Sequence, residues 1–134
     1  MDLNLRNKTV LITGGSKGIG LACAKEFAAE GCNLHLVSRT SEDLETAKKE
    51  IEAENNIQVT IHSLDLSNSA NVDQLAKDCS KIDILVNNAG AIPAGDIQAI
   101  DEERWRAAWD LKVFGYINMT RRYYPIMRLS LIHI

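Results

Sequence analysis

Val10-Leu11-Ile12-Thr13-Gly14-Gly15-Ser16-Lys17-Gly18-Ile19-Gly20 is the stretch whose reading decides the fold. Its apolar start reads as a short buried strand, its glycines as a turn, and the amphipathic residues that follow as a helix. Strand, glycine-rich turn and helix N-terminus in that order make a dinucleotide-binding unit. The turn lets backbone N–H groups approach a pyrophosphate, and the helix dipole favours its negative charge. Taken alone, the glycines are equally a tight turn with no ligand.

Outward from this stretch, strands and helices alternate. Lys8 to Thr13 reads as the first strand. The first helix runs from about Gly18 to Glu30, with Ile19, Ala22, Cys23 and Phe27 on one face, and Gly31 ends it. Asn33 to Ser38, Ile57 to Ser63 and Ile82 to Val86 read as further strands. Between them, Thr40 with Asp43 forms a capping box for a helix carrying Leu44, Ala47 and Ile51. Ser67 caps another helix, with Val72, Leu75, Ala76 and Cys79 on its stripe. A loop with Gly90, Pro93 and Gly95 leads to a long helix from Asp101 toward Arg128. Its apolar stripe is Trp105, Ala108, Trp109, Val113, Tyr116 and Ile117, and Pro125 should kink or end it. Strands joined by helical crossovers imply a parallel α/β sheet with right-handed connections.

The 134 residues suffice for one domain with a core, and the net charge of −3 has both signs interspersed. That balance argues against nucleic acid or an acidic membrane surface as partner. No apolar run can span a bilayer and the first residues do not read as a secretory signal, so a cytoplasmic location is expected. Cys23, Cys32 and Cys79 are odd in number and without metal-ligand spacing, so they read as reduced thiols and no metal is expected. His35 and His62 read as strand residues.

Two further motifs stand at strand ends, where open α/β sheets bind ligands: Asp65-Leu66 after the third strand and Asn87-Asn88-Ala89-Gly90 after the fourth. With the glycine turn, they resemble the short-chain dehydrogenase/reductase family from about Lys8 to Arg128, which implies a Rossmann-type parallel sheet, incomplete here, of about four strands in the order 3-2-1-4. The resemblance implies that Gly14, Ser16, Lys17, Gly18, Ile19 and Gly20 cradle the cofactor phosphates. It implies that Asp65 accepts from the adenine amino group beside the Leu66 backbone; a helix cap is the plainer role for Asp65. Asn87, Ala89 and Gly90 would run under the ribose, with Asn87 also bracing the central strand. At the end of the second strand, where an NAD-selecting enzyme places a carboxylate, stand Ser38 and Arg39. Arg39 and Lys17, with no carboxylate, suit a 2′-phosphate, so NADP(H) is expected rather than NAD(H). The alternative is that both cations are merely solvated.

Lys112 stands where the family usually carries Asn. It falls seven residues after Trp105, on the expected apolar stripe. Either it serves as a relay or substrate-binding cation near the nicotinamide, or its stem snorkels with no catalytic part. The family's chemistry also needs a Ser and a Tyr-x-x-x-Lys, yet Lys112 is the last lysine; Tyr124 to Arg128 matches the spacing but ends in Arg. Leu129 to Ile134 no longer reads like the family and is expected to be a non-native tail on a truncated frame, with residues 1–128 as the binding domain. Such a truncation would expose the fourth strand as an edge and weaken the family's homo-oligomer contacts, leaving the polypeptide poorly soluble or marginally folded. The function expected is therefore the cofactor-binding portion of an NADP(H)-dependent oxidoreductase acting on a small carbonyl or alcohol, inactive alone. A non-catalytic NADP(H)-binding or sensing module of the same fold is the alternative.

Overall fold

The computed structural model describes the backbone of residues 1–132 and the side chains of residues 1–129. Strands β1 (Thr9–Thr13), β2 (Asn33–Ser38), β3 (Val59–Ser63) and β4 (Ile84–Val86) form one parallel sheet in the order β3-β2-β1-β4. Helices α1 (Gly18–Ala29), α2 (Ser41–Glu54) and α3 (Ser69–Asp78) make the crossovers. After β4 come α4 (Glu102–Trp109), one π-helical turn (Asp110–Phe114) and α5 (Gly115–Ile132). The expected sheet and strand order are both present.

Both faces of the sheet are covered, because successive strand residues point to opposite sides. Val10, Ile12, Leu34, Leu36 and Val59 pack with α1 and α2 residues such as Ala24, Leu44 and Ile51. Leu11 and Val37 face the other way and pack with Val72, Leu75, Met119 and Tyr123 of α3 and α5. The strands are shorter than their apolar runs suggest because side chains take over at their ends. Asp83 accepts from the Thr9 amide ahead of β4, and Asn33 accepts from the Gln58 amide ahead of β3.

Several local expectations need correcting. The fully buried face of α1 is Gly20, Ala24 and Ala28; of the expected face, Cys23 and Phe27 pack partly buried against the core, while Ala22 is exposed and Ile19 is 77% exposed. Small residues win that face because the helix lies close on the strands: a Cβ at Gly20 would collide with the Gly14 carbonyl. Thr40 precedes α2 without a side-chain cap, because Asp43 turns to Lys17 instead. The cap of α3 is Asn68, which accepts from the Ala70 amide at 2.9 Å. Ser67 instead donates to Asp65.

The long helix differs most. The π turn puts extra residues into one turn and resets the phase, so a stripe extrapolated across it fails. Past it, the buried residues are Gly115, Met119 and Tyr123, whereas Ile117 is more than half exposed; ahead of it, Trp109 of α4 is exposed too. Lys112, in the π turn, is exposed and not on a core face. The helix also runs through Pro125 to Ile132 rather than ending there. Pro125 and Arg121 are both exposed, so the Arg121 carbonyl that loses its usual donor meets water. Of the tail, residues 129–132 continue α5, while His133 and Ile134 lie outside the described residues.

Candidate functional site

The turn between β1 and α1 is built from positive-φ glycines and from hydrogen bonds to its neighbours. Gly14 (φ 67°) and Gly18 (φ 55°) take backbone conformations that side chains disfavour. The Gly14 amide donates to the Val37 carbonyl at 2.7 Å, tying the turn to β2. Within α1, Leu21 is the first residue whose amide bonds back to the turn, to the Lys17 carbonyl at 3.2 Å. The amides of Gly18, Ile19 and Gly20 are therefore unclaimed among the described residues, and the first turn of α1 carries no acid. A helix end in that state attracts an anion.

A second tie holds the turn to the end of β4. Thr13 is 1% exposed, and its Oγ1 accepts from the Asn88 and Ala89 amides, both at 3.0 Å. The Asn88 amide group donates to the carbonyls of Thr13 (3.1 Å) and Gly14 (3.2 Å). Asn87 Nδ2 donates to Thr120 Oγ1 of α5 at 3.1 Å. Its Oδ1 is buried with no partner among the described residues. A buried acceptor left open at the wall of a cleft suits a donor from a ligand.

That cleft has a volume of about 680 Å³ and opens at the C-terminal ends of the strands. Gly14, Ser16, Lys17, Ile19, Ser38, Arg39, Leu66, Asn87, Ala89, Gly90 and Lys112 all line it. Gly18 is exposed at positive φ, and Gly20 is buried against the Gly14 carbonyl. Asp65 lines an adjoining lobe of about 400 Å³, which shares Arg39, Ala91, Ile92 and Leu111 with the first. Asp65 Oδ1 accepts from both the Ser67 hydroxyl (2.7 Å) and the Ser67 amide (3.0 Å). These bonds, with Arg39 nearby, hold its carboxyl below the usual range. Ser16 Oγ donates to Ser38 Oγ at 3.1 Å, so the turn and the end of β2 are already joined. The two cations are unequal. Lys17 Nζ pairs with Asp43 at 2.9 Å, so a carboxylate does stand at this end of the cleft, whereas Arg39 makes no ion pair among the described residues.

A parallel sheet in this order, a glycine turn over α1 and an Asn-Asn-Ala-Gly segment closing it are now in one place. Residues 8–130 match the short chain dehydrogenase family. The chain belongs to that family. It is 36% identical over 129 residues to the short-chain dehydrogenase anuI of Penicillium roqueforti, covering 92% of this chain and 51% of the relative. L-Sorbose reductase from Gluconobacter frateurii, solved with NADPH and L-sorbose, superposes with a TM-score of 0.88 at 33% identity. That match covers 97% of this chain and 51% of the reductase. A short chain dehydrogenase/reductase from Burkholderia phymatum, solved with NAD, gives 0.85 at 28% identity over 92% of this chain and 45% of the other. The chain spans about half the length of the curated relatives it matches.

In this member of the family, three residues that build the cleft were given no part in it by the motifs. Thr13 and Asn88 fix the two glycine segments to each other. Their signal in the sequence was slight: a polar residue ending an apolar strand, and a second Asn in tandem. Tyr116, assigned to the apolar stripe, is half-buried and lines the cleft, where burial raises its phenol pKa. Lys112 shares that wall: a Cβ at Gly90 would lie 3.4 Å from Lys112 Cδ. The close approach of α5 explains this placement, since a Cβ at Gly115 would sit 3.2 Å from the Leu66 carbonyl. No described helix is long and apolar enough to cross a membrane.

Proposed function

We propose that this chain is the NADP(H)-binding portion of an oxidoreductase acting on a carbonyl or alcohol. The observation that carries the reading is Arg39, a cation with no ion-pair partner among the described residues, at the end of β2 in the wall shared by both lobes of the cleft. A guanidinium there offers a 2′-phosphate two parallel hydrogen bonds. The open Asn87 Oδ1 and the unclaimed amides of α1 also fit the cofactor, one as acceptor for a ribose hydroxyl, the others as donors to the pyrophosphate.

In this reading, Gly14, Ser16, Gly18, Ile19 and Gly20 hold the pyrophosphate. Ser38 and Arg39 hold the adenine-side ribose phosphate, with Lys17 adding charge once Asp43 lets it go. Asp65 and Leu66 receive the adenine, and Asn87, Ala89 and Gly90 the nicotinamide-side ribose. Hydride exchange with a carbonyl carbon is the chemistry that a nicotinamide supplies when bound. Lys112, exposed over Gly90 beside Tyr116, stands as a cation for the substrate oxygen. The Tyr-x-x-x-Lys pair that would handle the proton is not in this sequence, so binding without turnover is expected.

Calorimetric titration of the 134-residue chain with NADPH and NADH tests this. NADPH should bind at least tenfold tighter, and added carbonyl substrates should leave NADPH unoxidised. Equal or tighter binding of NADH overturns the cofactor assignment; steady oxidation of NADPH overturns the binding-portion reading.

A further inference from the structure

On the sheet face under α3, away from the cleft, three potential metal ligands converge. In the pairing of β2 with β3, His35 stands opposite Thr60 and Val37 opposite His62, so the two histidines are diagonal neighbours on one face. His35 Nδ1 and His62 Nε2 lie 2.9 Å apart. Cys79, the C-cap of α3, brings its sulfur to the same point, and one ligand atom from each residue lies within 4.8 Å of the others. Nothing in their sequence spacing resembles a metal motif; topology alone gathers them.

We propose that His35, His62 and Cys79 bind one zinc-class divalent cation. Two imidazole nitrogens and a thiolate are ligands that zinc or cobalt takes and that magnesium or calcium does not. Tetrahedral zinc with bonds of about 2.0 Å to nitrogen and 2.3 Å to sulfur needs N···N of about 3.3 Å and N···S of about 3.5 Å. The histidine pair must open by a few tenths of an ångström, and the sulfur must close by at most about 1.3 Å, which side-chain rotations supply. The direct His–His hydrogen bond is then replaced by two metal bonds.

The protonation states are compatible. Burial lowers both histidine pKa values and favours the neutral rings that ligate. Burial pushes the Cys79 thiol up to about 11, so coordination forms the metal–sulfur bond, breaks the S–H bond and releases that proton to water with no redox change. The Asp78 carboxylate acts on His62 and adds negative charge near the cluster. The Tyr123 hydroxyl donates to the Cys79 carbonyl at 2.8 Å and steadies the cap that carries the sulfur. A bound cation would pin β2, β3 and the end of α3 together.

The test is titration of the chelator-stripped, reduced 134-residue chain with cobalt(II). Expected are one cobalt per chain, a sulfur-to-cobalt charge-transfer band with tetrahedral d–d absorption, displacement by equimolar zinc, and a higher melting temperature with zinc. Cys79→Ser should abolish the charge-transfer band. His35→Gln and His62→Gln should each weaken cobalt binding at least tenfold, and Cys23→Ser should change nothing. Circular dichroism verifies that each variant is folded. Absence of the band on the folded chain, or its survival in Cys79→Ser, refutes the site. Where Cys79→Ser loses its fold, His62→Gln decides, and undiminished cobalt affinity there is equally fatal.

Discussion

Arg39→Gln separates the two cations at the end of the cleft. Arg39 has no ion-pair partner among the described residues, whereas Lys17 is paired with Asp43 at 2.9 Å. A 2′-phosphate should therefore draw mainly on Arg39. A hydrogen bond to a charged group contributes about 1.5–3 kcal/mol, so Arg39→Gln should weaken NADPH by roughly 10- to 150-fold. NADH, which lacks that phosphate, should change by no more than about twofold. Asp43→Asn acts in the opposite direction by freeing Lys17. The Lys17 side chain is 74% exposed and that of Asp43 28%, so their pairing is screened. Exposed pairs contribute about 0.2–1 kcal/mol, which makes NADPH roughly 1.4- to 5-fold tighter in Asp43→Asn. The gain should shrink as salt rises. Calorimetry with both cofactors at two ionic strengths reads all of this. An equal loss for NADPH and NADH in Arg39→Gln would place Arg39 against a part both cofactors share, and the reasoning would fail.

Other consequences follow from particular contacts. Thr13→Val keeps the shape but leaves the Asn88 and Ala89 amides without their acceptor, so urea unfolding should show a loss of about 2–6 kcal/mol at about 1–3 kcal/mol per group. Gly20→Ala drives a Cβ into the Gly14 carbonyl; it should cost about 1–3 kcal/mol or more and weaken NADPH binding at the same time. Lys112→Ala, at an exposed position, should leave the urea midpoint within about 0.5 kcal/mol of the parent. A larger loss would return Lys112 to the core. The carboxyl of Asp65 is held below its usual range chiefly by the Ser67 hydroxyl. Its contribution to stability is thus present above the unfolded value near 3.8 and is lost as pH falls through the lower folded value. Ser67→Ala should raise the Asp65 pKa, as carboxyl-carbon NMR titration would report.

The sheet was legible because its signals are local. Short apolar runs at β1 to β4, separated by amphipathic helices, allow little but a parallel sheet with crossovers. Glycine, Asp65 and Asn87 motifs then mark the C-terminal strand ends that line the cleft. Helix faces were less legible. A stripe counted at one angle per residue cannot anticipate the π turn at Asp110–Phe114, past which Tyr116 lines the cleft wall and Ile117 is exposed. The face of α1 was misread because apolarity favoured Ile19, while distance to the strands demanded Gly20, Ala24 and Ala28.

By itself, then, the sequence determined the order of elements and the motifs at the strand ends that line the cleft, because each is read from residues adjacent in the chain. Only the tertiary structure decided which charges meet. Lys17 with Asp43, Thr13 with Asn88, and His35 with His62 and Cys79 join residues far apart in the chain. Hydrogen bonds and ion pairs act over a few ångströms, and only the packed sheet brings such groups within that range.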